Sequence, residues 1–131
     1  MSTSETMTDT FAPLARHEFA VLMTYRASGE AVPTTVWFAN GDDGTISITT
    51  RRTAGKIKRV RNDGRVTLAP SDRVGNLLGE PAVAGQAREA AENERAHARA
   101  TLAAKYGDAF ARIAGTDDHE QTYIIIEPVQ R

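Results

Sequence analysis

The sequence contains no cysteine, which removes several kinds of protein from consideration at once. Disulfides, thiolate nucleophiles and cysteine-based zinc sites are excluded, and thiols give no information about the redox compartment. No apolar run approaches the roughly 20 residues that a membrane-spanning helix requires. The N-terminal residues also lack the basic-then-apolar order of a signal peptide. We therefore expect a cytoplasmic protein without a membrane partner.

Motifs for covalent and metal-dependent catalysis are also missing. No serine lies in a Gly-x-Ser-x-Gly context, which disfavours nucleophilic hydrolysis. The three histidines, His17, His97 and His119, are far apart in the sequence, so we predict no metal site. No catalytic residue can be assigned from these patterns.

Length and composition indicate one globular domain. The 131 residues suffice to bury one core but are short for two, and 40% of them are apolar while 25% are charged. The first residues are polar, so we predict a mobile tail over 1–10 and a single domain over 11–131.

Positive charge is concentrated in one short segment although the formal net charge is −1. Within fifteen positions only Asp63 opposes seven of the sixteen lysines and arginines, namely Arg51, Arg52, Lys56, Lys58, Arg59, Arg61 and Arg65. A charged helix face that is simply solvated is one explanation. Docking of an anionic ligand is the other. Nucleic acid is disfavoured as that ligand, because only one aromatic pair, Trp37 and Phe38, accompanies the segment.

Hydrophobic periodicity and turn residues predict a mainly β chain with short helices. Strands two and three should pair antiparallel across the Asn40–Gly44 turn. Six strands with helices after the third and fifth favour a small antiparallel barrel. The predicted strands are 19–26, 32–38, 45–50, 65–69, 81–90 and 121–127; the predicted helices are 11–17, one capped by Thr53, 91–106 and 108–114.

The residues before and within the basic helix suit a phosphate. Thr49 and Thr50 end a strand that leads to a helix N-terminus, where free backbone N–H groups and the helix dipole attract anions. Their hydroxyls and the Lys56 ammonium could donate hydrogen bonds to one phosphate. Arg51 and Arg52 could add charge-assisted contacts.

Several stretches together resemble the split β-barrel flavin and deazaflavin oxidoreductases, the superfamily that includes pyridoxamine 5′-phosphate oxidases. They are FAVLMTYRASGEAVPTTVWFANGDDGTISITT, AGKIKRVRNDGRVTLAPSD, GEPAVAGQAR and LAAKYG, and the chain looks most like the small deazaflavin-using members. The resemblance implies a six-stranded antiparallel split β-barrel that forms a homodimer, with the cofactor in a groove at the dimer interface.

The resemblance also implies which residues bind the cofactor. Thr49, Thr50, Arg51 and Lys56 match the positions that hold its phosphate. Thr35, Val36 and Trp37 match the strand beneath the ring system, Arg59 is a further candidate, and the 70–78 loop is expected to contribute.

The same comparison favours coenzyme F420 over FMN. FMN-using members commonly carry a phosphate-pairing arginine where this chain has Thr34, and the chain ends at Arg131 without the longer C-terminal segment of the vitamin B6 oxidases. We therefore predict an F420-dependent reductase that transfers a hydride to a small unsaturated or heteroaromatic substrate. An FMN-dependent oxidoreductase and a non-catalytic flavin- or haem-binding protein stay open as alternatives. Tyr25, an arginine or solvent could supply the proton.

Overall fold

The main element of the fold is one antiparallel sheet. The computed structural model describes residues 10–110 and 121–129. The strand order is β2-β1-β5-β6-β7-β4-β3, and β2 also contacts β4, so the sheet curls into a half-barrel. The prediction of a mainly antiparallel β fold with short helices is confirmed. The strands are β1 (Phe19–Tyr25), β2 (Ala31–Trp37), β3 (Ala39–Asn40), β4 (Ile46–Arg51), β5 (Arg65–Ser71), β6 (Val83–Glu89) and β7 (Gln121–Pro128).

The number of strands differs from the prediction because the second predicted strand, 32–38, ends before Phe38 and a two-residue strand, β3, follows that residue. The Phe38 backbone N–H donates to the Tyr106 hydroxyl at 3.0 Å, and its C=O accepts from that hydroxyl at 2.6 Å. The next two residues then form β3, which pairs with β4, while β2 pairs with β1. The expected pairing of the second and third strands is therefore wrong: β2 has no ladder with β4.

Two α-helices that lie wholly within the described residues pack outside the sheet, α1 (Gly55–Asn62) and α2 (Arg95–Tyr106). Thr53 is not the cap of α1, because Ala54 occupies the N-cap position and provides no side-chain hydrogen bond. The predicted stop of α2 is confirmed: Gly107 ends it with a positive φ of 58°. A 3-10 turn over Glu92–Glu94 precedes α2.

Two of the predicted helices are shorter or only partly observable. The predicted helix over 11–17 is a single 3-10 turn, Ala12–Leu14. Most of the predicted helix over 108–114 lies outside the described residues. So does the predicted tail, apart from Thr10.

Apolar side chains form two clusters, one on each face of the curled sheet. The inner cluster fills the half-barrel and includes Ile57 and Val60 of α1. The outer cluster lies between α2 and the sheet and includes Leu102. Because β7 is covered on both faces, Tyr123–Ile126 can be apolar without alternation. The position of β7 also agrees with the strand predicted over 121–127.

The described residues also bear on the membrane question. None of their helices combines the length and the apolar content that crossing a bilayer would require.

Candidate functional site

A groove with a volume of about 270 Å³ lies where the edge strand β2 approaches β4. Strand geometry places Thr35 and Trp37 on the outer face of the sheet, since the intervening Val36 belongs to the inner cluster. The groove brings together five of the eight residues predicted for the cofactor, Thr35, Val36, Trp37, Thr49 and Lys56, and it adds Phe19 and Arg73.

Aromatic rings form one wall of this groove. Phe19 is the cross-strand partner of Trp37, and their ring centroids are 6.3 Å apart. On its other side Trp37 stacks on Tyr106, with centroids 4.3 Å apart and ring planes only 4° from parallel. The indole is therefore held flat, as a surface on which a planar ring could lie.

Besides the aromatic wall, the groove has two positively charged lining residues, Lys56 on α1 and Arg73 on the loop after β5. Lys56 is half-buried, and its burial, followed by the nearby Arg59 charge, lowers the pKa of its ammonium group. Within residues 10–110 and 121–129, neither Lys56 nor Arg73 forms an ion pair with a carboxylate. An anionic ligand would supply the missing partner.

The start of α1 adds donors of a second kind. No side chain caps this helix, so its first backbone N–H groups lack a capping acceptor. Lys56 is the second residue of the helix, and Thr49 lines the same groove from β4. The Thr49 hydroxyl donates to Gln121 Oε1 at 3.2 Å, which fixes its position on the strand. Lys56 and Thr49 thus line the groove together, and Lys56 belongs to the uncapped first turn of α1.

Three predicted residues, Thr50, Arg51 and Arg59, do not line the groove. Thr50 is buried beside the inner cluster, because adjacent residues on a strand face opposite sides and Thr49 takes the groove side. Arg51 ends β4 opposite Gln121 and is exposed. Arg59 donates from Nε to the Thr24 hydroxyl at 2.6 Å, which directs its guanidinium to β1.

Phe19 and Arg73, which were not among the predicted site residues, differ in how far the sequence could have revealed them. Phe19 could have been found from the register of the first hairpin, which places it opposite Trp37. Arg73 belongs to the 70–78 loop that was expected to contribute, but only the structure shows which residue of that loop lines the groove. Asp72 Oδ1 accepts hydrogen bonds from the backbone N–H groups of Val74 and Asn76, at 3.0 and 2.9 Å, and so orders the loop.

Gly75 holds that loop against β2. Its φ is +92°, and a Cβ atom there would lie 2.7 Å from Thr35 Oγ1. Both the backbone conformation and the close approach favour glycine. The loop therefore lies directly on the strand that lines the groove, and this places Arg73 at the groove.

A second cavity, which no charged residue lines, continues from the groove through Thr35, which lines both. Its volume is about 340 Å³, and Thr34 belongs to this cavity and not to the groove. Val74, 76% exposed, and Leu77, 62% exposed, form its rim.

A larger cavity, about 480 Å³, lies elsewhere, at the turn after β3. Its charged lining residues are Asp42 and Asp43, so it offers no cation to an anionic ligand. Asp42 and Asp43 lie near His97 with all three side chains exposed, an arrangement that is common without any bound ion. We therefore place the candidate site in the smaller groove.

The fold and the groove together define a class: an antiparallel half-barrel with a groove of aromatic and cationic side chains along its edge strand. A family model described as pyridoxamine 5′-phosphate oxidase matches residues 7–130. The chain belongs to this family. No curated protein matches it in sequence.

Solved structures share the fold at low sequence identity. HutZ, the haem storage protein of Vibrio cholerae, has a TM-score of 0.68 and 11% identity, with 98% of this chain and 91% of that chain covered. An FAD-binding protein from Mesorhizobium loti has a TM-score of 0.64 and 14% identity, with 99% and 91% covered. Atu2129 from Agrobacterium tumefaciens, of unknown function, has a TM-score of 0.66 and 17% identity; the alignment covers 86% of this chain but only 48% of Atu2129.

Proposed function

We propose that the protein is an F420-dependent reductase that delivers a hydride to a small unsaturated or heteroaromatic substrate. One observation carries the proposal: a single groove combines a flat aromatic wall with two cations, Lys56 and Arg73, that have no carboxylate partner among the described residues. F420 has the matching chemistry, since it joins a planar deazaflavin ring to a phosphodiester and a glutamate tail.

The residues at the α1 end of the groove suit the phosphodiester. Lys56 and the uncapped N–H groups of α1 can donate to it, and the Thr49 hydroxyl can do so in place of its hydrogen bond to Gln121 Oε1. Arg73 reaches the groove from a different element and can pair with the glutamate carboxylates. Two separate cations fit a ligand with two separate anionic groups better than a ligand with one.

The ring would lie along β2. This strand is at the edge of the sheet, so one row of its backbone N–H and C=O groups has no strand partner and can bond the polar edge of a ring. Phe19 and Trp37 cover that region and exclude water. The reduced deazaflavin, when bound, supplies the hydride. The chain itself would bind and orient the cofactor and exclude water from the site.

Solvent is the proposed source of the proton. Of the described residues that line the groove, none is an acid or a histidine. Tyr25, considered from the sequence, is not a lining residue, and its ring lies 5.0 Å from the Arg65 guanidinium carbon.

Two alternatives follow from the relatives. The family and the FAD-binding protein of Mesorhizobium loti favour a flavin, and an FMN-dependent oxidoreductase would use the same groove. HutZ, described as a haem storage protein, favours haem. The described lining residues include no His, Met, Cys or Tyr, the usual haem iron ligands. We rank haem below the flavins for that reason. The proposal also includes a homodimer, in which the partner would complete the groove.

Direct titration tests the proposal. The absorbance of the purified protein is recorded, and the protein is then titrated with F420 and with FMN while cofactor fluorescence is followed. We expect F420 to bind at least about 10-fold more tightly than FMN, a difference of roughly 1.4 kcal/mol. A haem Soret band, or tighter binding of FMN, would overturn it.

A variant pair locates the binding site. Lys56→Ala should weaken F420 binding about 10-fold or more, because a charge-assisted hydrogen bond contributes roughly 1.5–3 kcal/mol. Lys58→Ala removes the same charge from the exposed face of the same helix and should change the dissociation constant less than about twofold. Equal effects of the two substitutions would contradict the groove assignment.

A further inference from the structure

Tyr106 lies directly behind the wall of the groove but does not line it. Its ring stacks on Trp37, and its hydroxyl contacts both backbone groups of Phe38 as well as the Glu18 carbonyl, at 2.8 Å. Phe38 is the residue at which the chain leaves β2 and starts β3. One side chain of α2 is therefore attached both to the ring that faces the groove and to the bend that follows it.

The preceding residue reinforces this attachment. The Lys105 ammonium donates to the His17 carbonyl at 2.6 Å and lies 3.9 Å from the centroid of the Phe38 ring. Phe38 is thus held at its backbone by Tyr106 and at its ring by Lys105. The last turn of α2 fixes the end of β2 from outside the groove.

A ring held by one stacking partner takes its orientation from that partner. Trp37 is half-buried and lies on the edge strand, so its indole has no second strand beyond β2 to pack against. Phe19 contacts it at a tilt of 49°, whereas Tyr106 is parallel to it. The plane of the indole is accordingly the plane of Tyr106.

We propose that Tyr106 is a positioning residue for a planar, fused-ring ligand. By stacking on Trp37 it sets the plane of the groove wall, and by bonding Phe38 it sets the direction in which β2 ends. The ligand class rests on the proposed function, since a flat ring in the groove is what this geometry would serve. The effect of Tyr106 on Trp37 does not rest on it.

Two substitutions separate the stack from the hydroxyl. Tyr106→Leu removes both, whereas Tyr106→Phe keeps the ring and removes only the hydrogen bonds to Phe38 and Glu18. Leu68→Val is the control: it alters the inner cluster, to which Trp37 does not belong, and lowers stability without touching the stack. All three proteins are compared well below their thermal midpoints, with circular dichroism confirming the fold.

Trp37 is the only tryptophan in the chain, so its fluorescence reports this wall alone. Without ligand, Tyr106→Leu should raise the acrylamide quenching constant of Trp37 about twofold, because the indole loses its cover on one face. Tyr106→Phe should leave quenching nearly unchanged. Leu68→Val should leave it unchanged despite a lower Tm.

Binding gives the second readout. The F420 dissociation constant should rise about 10-fold in Tyr106→Leu, from loss of the aromatic pair and of the bend, and about threefold in Tyr106→Phe, from loss of the hydroxyl contacts. In Leu68→Val it should stay within twofold. FMN is used as the ligand if F420 does not bind.

The outcomes distinguish the two proposals. If neither cofactor binds the unaltered protein, the proposed function fails, and the ligand-free quenching series still decides whether Tyr106 holds Trp37. If Tyr106→Leu is folded, with quenching and binding both unchanged, the positioning role is wrong. If Leu68→Val weakens binding as much as Tyr106→Leu does, Tyr106 acts only through stability, and the proposal is equally overturned.

Discussion

The two ends of the basic segment differ in what their cations contact. At the groove, Lys56 has no carboxylate partner among the described residues, and neither has Arg73, which reaches the groove from another loop. At the far end of α1, Arg61 pairs with Glu89 at 2.8 Å and Arg65 pairs with Asp63 at 2.8 Å. Cations that lie close together in the sequence therefore differ in whether a carboxylate of the protein already pairs with them. Of these four cations, the two at the groove are the ones without a carboxylate partner among the described residues.

The pKa shifts at the two ends of the segment indicate opposite contributions to folding stability. The hydrogen bond from Arg61 lowers the pKa of Glu89, which is a favourable interaction in the folded protein. Burial lowers the pKa of Lys56, which means that folding disfavours its charge. The paired end contributes to stability, whereas burial of the Lys56 charge at the groove end reduces it.

The largest expected effect comes from removing both groove cations. Lys56→Ala and Arg73→Ala should each weaken F420 binding about 10-fold, and together about 100-fold if they contact separate anionic groups. Thermal stability should stay constant or rise slightly, because the variants without Lys56 no longer bury a charged ammonium group on folding. Fluorescence titration and a thermal melt measure the two quantities.

The matched control removes a paired cation from the same segment. Arg61→Ala should leave F420 binding unchanged and lower stability by about 0.5–1 kcal/mol. If Arg61→Ala weakens binding as much as Lys56→Ala, the two ends of the segment do not differ in the way described.

A smaller loss of binding is expected from Gly75→Ala. The substitution forces a side chain into a φ of +92° and brings Cβ to 2.7 Å from Thr35 Oγ1, at a cost of roughly 1–3 kcal/mol to the native loop conformation. Arg73 should then leave the groove, and F420 binding should approach that of Arg73→Ala. Gly79→Ala is the control: its φ is +86° but it has no neighbour within 4 Å. Equal binding losses in the two variants would show that contact with Thr35 is unimportant.

Substitutions at the paired end should change the stability of the protein and leave cofactor binding unchanged. Glu89 accepts a hydrogen bond from the Thr122 hydroxyl at 2.6 Å as well as from Arg61. Glu89→Ala leaves the fully buried Thr122 without this acceptor and should lower the free energy of unfolding by about 1–2 kcal/mol. Urea denaturation measures it. Glu92→Ala, at an exposed position, should cost less than about 0.5 kcal/mol.

The smallest effect concerns the dependence of stability on pH. Hydrogen bonds from Arg88, and then from the Ala91 N–H, lower the pKa of Glu94 from 4.5 to about 2. Since the folded pKa is the lower one, this stabilisation is complete above about pH 4.5 and is lost as the pH falls toward 2. Both side chains are substantially exposed, so the contribution is a few tenths of a kcal/mol.

Glu94→Gln isolates that contribution. Its stability should fall below that of the unaltered protein at pH 7, and the difference should shrink between pH 4.5 and 2.5 in urea titrations. A difference that stays constant over this range would mean that the carboxylate charge is not involved.

Local patterns in the sequence predicted most of the strands, because alternation and turn residues act over a few positions. The interruption at Phe38 could not be predicted, since its cause is the hydroxyl of Tyr106, far along the chain. Thr50 is a different case: alternation along β4 turns it to the face opposite Thr49, and this could have been predicted from the period of a strand. Arg73 depends on a loop fold, and sequence spacing alone does not bring it near Lys56.

The open edge of the sheet has a consequence for solubility. Of the two edge strands, β3 has only two residues, whereas β2 has seven and could template the addition of a foreign strand. Pro33 interrupts the row of donors in the first half of β2, and the groove lies along the second half. A small molecule bound there would occupy the part of the edge that proline leaves open. We therefore expect ligand binding to protect the protein against aggregation through β2.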